Sequence, residues 1–189
     1  MSDFEPAPSK ETFCDKEPPE DRAHTLEYVL LKDIFLPNGF LEREAVKGDI
    51  LDLGCGRGSL GKALSNIGKN ISLIGVDIIK YEGKDFRKIY SEIRQNDAAK
   101  EVTQIKESGK KFDLVISFGL PPKAIEDLID NGDLKDIVKP EGSVLLIFDA
   151  IIEDRFQKMA RKAGFEKHSG SFPSDPDILY WRNSSRLQD

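Results

Sequence analysis

Asp49–Leu64, DILDLGCGRGSLGKAL, reads as a short buried strand, a glycine-rich turn and the start of a helix. Glycines at 54, 56, 58 and 61 let the main chain come close to a ligand. The helix that opens near Ser59 presents N–H groups with no partner in the helix itself. Such a strand–turn–helix unit predicts an α/β sheet with a ligand at the carboxyl ends of its strands.

The rest of the chain repeats the alternation. GSLGKALSNIG (58–68) is a helix closed by Gly68, and ISLIGVDI (71–78) a second buried strand. FRKIYSEIRQ (86–95) alternates in polarity and predicts a third strand. DAAKEVTQIKESG (97–109) is a helix closed by Gly109, and FDLVISF (112–118) a strand. PPKAIEDLIDNG (121–132) begins with prolines suited to a first helical turn. Pro140 and Gly142 form a turn before the strand GSVLLIF (142–148), and DAIIEDRFQKMARKAG (149–164) is a helix ending at Gly164. FEKHSG and DILYWRN, around SFPSDP, pair as an antiparallel hairpin at one edge. Near-continuous apolar strands predict a three-layer αβα sandwich on a mostly parallel, seven-stranded twisted sheet.

Upstream, HTLEYVLLKDIFL (24–36) is helical and is stopped by Pro37-Asn38-Gly39. Residues 1–23, rich in Pro, Glu, Asp and Ser, form a disordered or lid-like segment. A single domain spans 24–183, and 184–189 is a loose tail. The 189 residues carry a net charge of −6, with 28 Lys and Arg. That balance leaves nucleic acid possible as a partner without favouring it. Cys14 and Cys55 show neither a disulfide framework nor zinc-ligand spacing, which places the chain in a reducing, cytoplasmic setting with no metal. The first residues lack the apolar core of a secretion signal, and no apolar run is long enough to cross a bilayer, so no membrane partner is expected.

Two readings of the glycine turn compete. Gly56-Arg57-Gly58-Ser59-Leu60-Gly61 has the G-x-G-x-x-G spacing of a dinucleotide turn, with Asp77 at about the right distance for a ribose. Its register is awkward, because Gly54 already stands where the strand ends and Asp52 lies inside that strand. Read as Asp52-Leu53-Gly54-Cys55-Gly56-Arg57-Gly58, the stretch resembles the first motif of the class I, Rossmann-like S-adenosylmethionine-dependent methyltransferases.

The resemblance implies a cofactor with an ammonium, a carboxylate and a sulfonium but no phosphate. It gives Asp52 an orienting role toward the cationic methionine moiety, beside the plainer reading of a carboxylate capping its own turn. Gly54, Cys55, Gly56 and Gly58 supply close backbone approach, with the Cys55 thiol as filler. Asp77 takes both ribose hydroxyls and Ile78 packs on the adenine. IRQNDAAKE resembles the third motif, in which Asp97 accepts from the adenine amino group and Ala98 lends a backbone N–H. Asp97 also suits the N-cap of the next helix. KFDLVISFG and VKPEGSVLLIF resemble the stretches around the fourth and fifth strands, which brings in Ser117.

Acceptor recognition would fall to the loop after the fourth strand: Phe118, Gly119, Leu120 and Pro121. Phe118 has two readings, as a wall beside the reactive methyl and as strand-end packing. This loop lacks the Asn/Asp-Pro-Pro-aromatic motif of amino-directed enzymes, and the Lys-Asp-Lys-Glu tetrad of ribosomal RNA 2′-O-methyltransferases is missing. No catalytic residue is assigned, since in-line transfer from a sulfonium needs alignment first and a base only for a protonated acceptor. The acceptor and the oligomeric state stay open, with a small molecule or protein slightly preferred to RNA. A non-catalytic nucleoside-binding or protein-interaction module and an NAD-dependent oxidoreductase are the alternatives.

Overall fold

The computed structural model describes residues 47–67, 70–79, 86–131, 133–148, 154–169 and 177–183. The expected helix at 24–36, the terminal segments, Gly68 and the hairpin loop at 171–176 lie outside these residues. In chain order the elements are β1 (Gly48–Leu53), α1 (Ser59–Ile67), β2 (Ile71–Asp77), α2 (Phe86–Ile89), β3 (Glu92–Gln95), α3 (Ala98–Ser108) and β4 (Phe112–Phe118). They continue with α4 (Pro122–Asp130), α5 (Asp133–Asp136), β5 (Val138–Phe148), α6 (Asp154–Lys162), β6 (Glu166–Ser169) and β7 (Asp177–Arg182).

The seven strands form one sheet in the order β3-β2-β1-β4-β5-β7-β6. The pairs from β3 to β5 are parallel, while β7 runs antiparallel to both β5 and β6. The order reverses between β1 and β4, which makes the carboxyl ends of these strands a topological switch point, the place where open α/β sheets bind ligands. Apolar side chains fill both faces of the central strands. Leu51, Leu53, Val76, Val115 and Leu146 pack with α3, α4 and α5, and Ile50, Leu73, Leu114, Ile116 and Ile147 pack with α1 and Tyr90. The three-layer sandwich and the C-terminal hairpin are as the sequence predicts.

Two local expectations are corrected. Phe86–Ile89 form a single helical turn, and only Glu92–Gln95 are strand. Tyr90, between them, turns inward and is buried, which breaks the period-two pattern its neighbours suggest. Pro140 and Gly142 do not precede β5 but lie within it. The chain is already paired at Phe112↔Val138, and the register then shifts to Leu114↔Ser143. Glu141 takes φ +64° in this irregularity, and Asn183 closes it by accepting from the Glu141 N–H and donating to the Gly142 carbonyl. The short helix α5 carries no sequence signal of its own. Thr103 and Lys106 of α3 hold it through Asp133.

Other caps behave as read. Asp97 accepts from the N–H groups of Ala99 and Lys100, and Gly109 ends α3 in the left-handed region at φ +73°. At the opposite end of the sheet Lys139 donates to Asp49 and Asp113, both at 2.8 Å, tying β5 to β1 and β4.

A Cβ at Gly142 would stand 2.8 Å from the Asp113 carbonyl oxygen and 2.7 Å from Val138 Cγ1. Since backbone cannot yield cheaply, Gly142→Ala is expected to lower stability by about 1–3 kcal/mol. Urea unfolding checks this, and an unchanged midpoint would contradict the tight crossing at β5.

Candidate functional site

Leu53 pairs with Val76 on one side and Ser117 on the other, so β1, β2 and β4 end together. The turn Gly54–Gly58 rises from this shared edge. Gly54 and Gly56 hold φ +74° and +49°, a region that side chains disfavour. The turn then commits four of its five N–H donors. The Gly54 and Cys55 N–H groups both donate to the Val76 carbonyl, at 2.8 and 3.0 Å. The Gly58 N–H donates to the Cys55 carbonyl at 2.8 Å, and the Gly56 N–H donates to Asp77 Oδ2 at 2.9 Å.

Beneath the turn lies Asp52, fully buried in β1. Tyr90 Oη donates to Asp52 Oδ2 at 2.6 Å, and Oδ1 finds no hydrogen-bond partner among the described residues. Burial pushes the Asp52 carboxyl up to about 7; the Tyr90 hydrogen bond opposes the shift, and the nearby Asp77 charge adds to it. The same burial, with Asp52 and Asp77 near, raises the Cys55 thiol well above its usual range, so it is held protonated.

Around this centre stand the other residues singled out in the sequence. Asp77 ends β2, with Oδ2 taken by Gly56 and Oδ1 accepting from the Ile79 N–H at 2.8 Å. Each carboxylate oxygen has a second lone pair for an outside donor. Ile78 and Ile79, next in the chain, are exposed apolar side chains, 61 % and 43 % accessible. Asp97 receives both of its cap bonds on Oδ1. Ala98 is buried at the start of α3. Ser117 is buried at the end of β4, and its Oγ has no partner among the described residues.

Phe118 is half-buried against the cluster that holds Tyr90. The Gly119 N–H donates to the Ile147 carbonyl at 3.1 Å. Leu120 leans over the glycine turn so closely that a Cβ at Gly54 would stand 2.6 Å from its Cδ2. Pro121 is exposed at the N-cap of α4. His168 lies in β6, away from this edge in sheet order.

Two contributors escape the sequence reading. One is Tyr90. The signal for it is a pair of glycines: a Cβ at Gly61 would stand 2.4 Å from its Oη, and one at Gly75 would stand 3.1 Å from its ring. The other is Glu101, which is buried and accepts from Arg94 at 2.6 Å and from Asn96 at 2.8 Å. Asn96 in turn accepts from the Asp97 N–H, so Glu101 braces the loop that carries Asp97. Among the described residues no group of three or more His, Cys, Asp or Glu is placed to hold a metal ion, and no helix is long and apolar enough to cross a membrane.

A methyltransferase-domain family matches residues 50–142. The chain is 28 % identical over 153 residues to methyltransferase-named protein 235L of Invertebrate iridescent virus 6, across 74 % of this chain and 55 % of that protein. It thus spans little more than half the length of that relative. Among solved structures, Aeropyrum pernix fibrillarin with natively bound S-adenosyl-L-methionine aligns at a TM-score of 0.57 and 18 % identity, over 84 % of this chain and 75 % of that one. The 16S rRNA N2 G1207 methyltransferase of T. thermophilus, with AdoMet and guanosine, aligns at 0.61 and 16 %, over 90 % and 44 %. The magnesium protoporphyrin IX methyltransferase of Synechocystis with bound SAM aligns at 0.53 and 18 %, over 87 % and 78 %. At these identities the structural likeness establishes the fold alone.

Asp52 holds its proton more tightly folded than unfolded. Between the ordinary carboxylate range and about pH 7 each upward step therefore favours unfolding, and the loss is complete above that. The ligand-free protein should melt at lower temperature as pH rises from 5 to 8. Asp52→Asn should flatten that limb, as read by thermal melts across pH. Parallel profiles in the two proteins would show that Asp52 does not titrate there.

Proposed function

We propose that this chain, whose residues 50–142 match a methyltransferase-domain family, is a class I S-adenosylmethionine-dependent methyltransferase that binds that nucleoside at the carboxyl ends of β1, β2 and β4 and transfers its methyl group to an acceptor approaching over the β4–α4 loop. One observation carries the reading: a buried carboxylate, one of whose oxygens has no partner among the described residues, lies beneath a turn that spends four of its five N–H groups on Val76, Cys55 and Asp77. A pyrophosphate needs free N–H groups and positive potential. Here the side chains at the base of the turn are the Asp52 and Asp77 carboxyls, while the glycine turn still allows close approach. That combination suits a cationic amino-acid tail and disfavours a dinucleotide, which weakens the oxidoreductase alternative.

On this reading the residues divide the ligand between them. Asp52 supplies charge beneath the ammonium end, and Gly54, Cys55, Gly56 and Gly58 give it a wall of backbone. Asp77 offers the ribose hydroxyls two oxygens already oriented by Gly56 and Ile79. Ile78 lends an exposed apolar face to the base. Asp97 keeps Oδ2 outside its helix cap for the adenine amino group, and the cap takes the N–H groups of Ala99 and Lys100 rather than that of Ala98. Ser117 lines the end of β4. Bound there, the sulfonium supplies a carbon already activated for displacement, which leaves the protein to align the acceptor and exclude water.

Phe118, Gly119, Leu120 and Pro121 form the proposed acceptor side. The chain's net charge of −6 favours a small molecule or protein side chain over RNA.

Calorimetric titration with S-adenosylhomocysteine and with NAD tests the reading. Binding of the first and not the second is expected, and binding of NAD alone would overturn the proposal. Asp77→Ala should weaken S-adenosylhomocysteine by about 1–3 kcal/mol through lost charge-assisted hydrogen bonds. Unchanged affinity in a folded variant would remove Asp77 from the ribose.

A further inference from the structure

Tyr90 lies outside every motif that marks the cofactor end, yet the fold has been cleared to admit it. Its ring is 4 % exposed and enters between α1 and β2. Both elements carry glycine at the point of contact: a Cβ at Gly61 would stand 2.4 Å from the Tyr90 hydroxyl, and one at Gly75 would press on the ring at 3.1 Å. Gly75 is also the β2 residue that pairs with Asp52. The missing side chain at Gly75 is therefore what lets the phenol of one segment reach the carboxylate of another. On the far side, Cys55 of the glycine turn closes over the same space, its Sγ 2.9 Å from where a Gly75 Cβ would be.

The chemistry of this pocket is one-sided. The groups facing Asp52 are the Tyr90 phenol, the Cys55 thiol and, across the turn, the Asp77 carboxylate. From β4 its neighbour in register is Ile116, and α1 contributes Gly61 beside apolar Leu60 and Leu64. None of these is a cation. With these described neighbours the carboxylate must keep a proton or gain positive charge from elsewhere, and among the described residues the one hydrogen bond that favours its ionised form comes from Tyr90.

We propose that Tyr90 is a positioning residue of the cofactor site: its hydroxyl locks the Asp52 side chain beneath the glycine turn and sets how readily that carboxylate ionises to meet the ligand's ammonium. This inference rests on the cofactor reading given above. Tyr90 touches no ligand and acts only through Asp52. Removing its hydroxyl takes away a bond to the ionised form, so Asp52 needs a higher pH to become charged. A stronger donor at the same position moves that pH down.

The experiment measures S-adenosylhomocysteine affinity by calorimetry from pH 5.5 to 8.5 in wild type, Tyr90→Phe, Asp52→Asn and the double variant. The ligand's own ionisation is common to all four, so differences between profiles belong to the protein. Tyr90→Phe should bind about three- to tenfold more weakly near pH 7, the span of one hydrogen bond to a charged acceptor, and recover toward wild type at the alkaline end. Asp52→Asn should bind weakly without the protein-dependent step, and adding Tyr90→Phe to it should change nothing further. If Tyr90→Phe does not fold, 3-fluorotyrosine placed at position 90 keeps the shape with a more acidic phenol and should shift the profile to lower pH.

The pH melts of the ligand-free proteins give a second readout that needs no ligand. A folded Tyr90→Phe, or the fluorotyrosine protein, with the wild-type pH profile would overturn the proposal and leave Tyr90 as core packing. Failure of wild type to bind S-adenosylhomocysteine at any pH would overturn the cofactor reading itself, a result distinct from a missing shift.

Discussion

Asp52 is an ionisable group in a place where ionisation is costly. It is fully buried, flanked by apolar strands, paired with a neutral phenol and near a second carboxylate. An isolated charge removed from water is tolerated only with compensation, and the described residues supply a single hydrogen bond. The arrangement of the carboxyl edge follows from that constraint. Gly61 and Gly75 open the space for Tyr90, Cys55 closes it as a neutral thiol, and the turn above spends its donors on Val76, Cys55 and Asp77.

The same constraint separates two kinds of nucleotide site built on one fold. A dinucleotide turn works by leaving its N–H groups free for a pyrophosphate. In this chain the N–H groups of Gly54, Cys55, Gly56 and Gly58 are tied back into β2 and into the turn itself, and a carboxylate is buried at the end of β1. A cationic ligand relieves the strain that an anionic one would increase. The outer parts of the edge are an exposed apolar side chain, Ile78 beyond β2, and the capped loop at Asp97.

Rigidity at this edge comes from places far from the ligand in sequence. Arg94, Glu101 and Asn96 brace the loop before α3 through a buried carboxylate with two donors. At the opposite end of the sheet, Lys139 bridges Asp49 and Asp113 and fixes β1, β4 and β5 against one another. Exposed ion pairs contribute little each, and the strands' stagger is that of the ladder, Leu53 paired with Val76 and with Ser117. That stagger brings Leu53, Val76 and Ser117 level, so three strands end together at one edge.

How much of this was legible in the chain divides along a physical line. The strand–turn–helix unit, the Asp97 cap, the Gly109 stop and the terminal hairpin were readable, because each depends on residues close in sequence: apolar runs, glycines and cap side chains. The third strand and the turn before β5 were misplaced because non-local contacts decide them. Tyr90 is drawn out of an alternating pattern by a cavity that α1 and β2 make together, and Val138 is held as strand by pairing with Phe112. Local chemistry thus determined the elements and the acidic glycine turn. Only the packed sheet decided that Asp52 would be buried with no cation beside it among the described residues and meet a phenol 38 residues away, because burial and counter-charge belong to the space between elements.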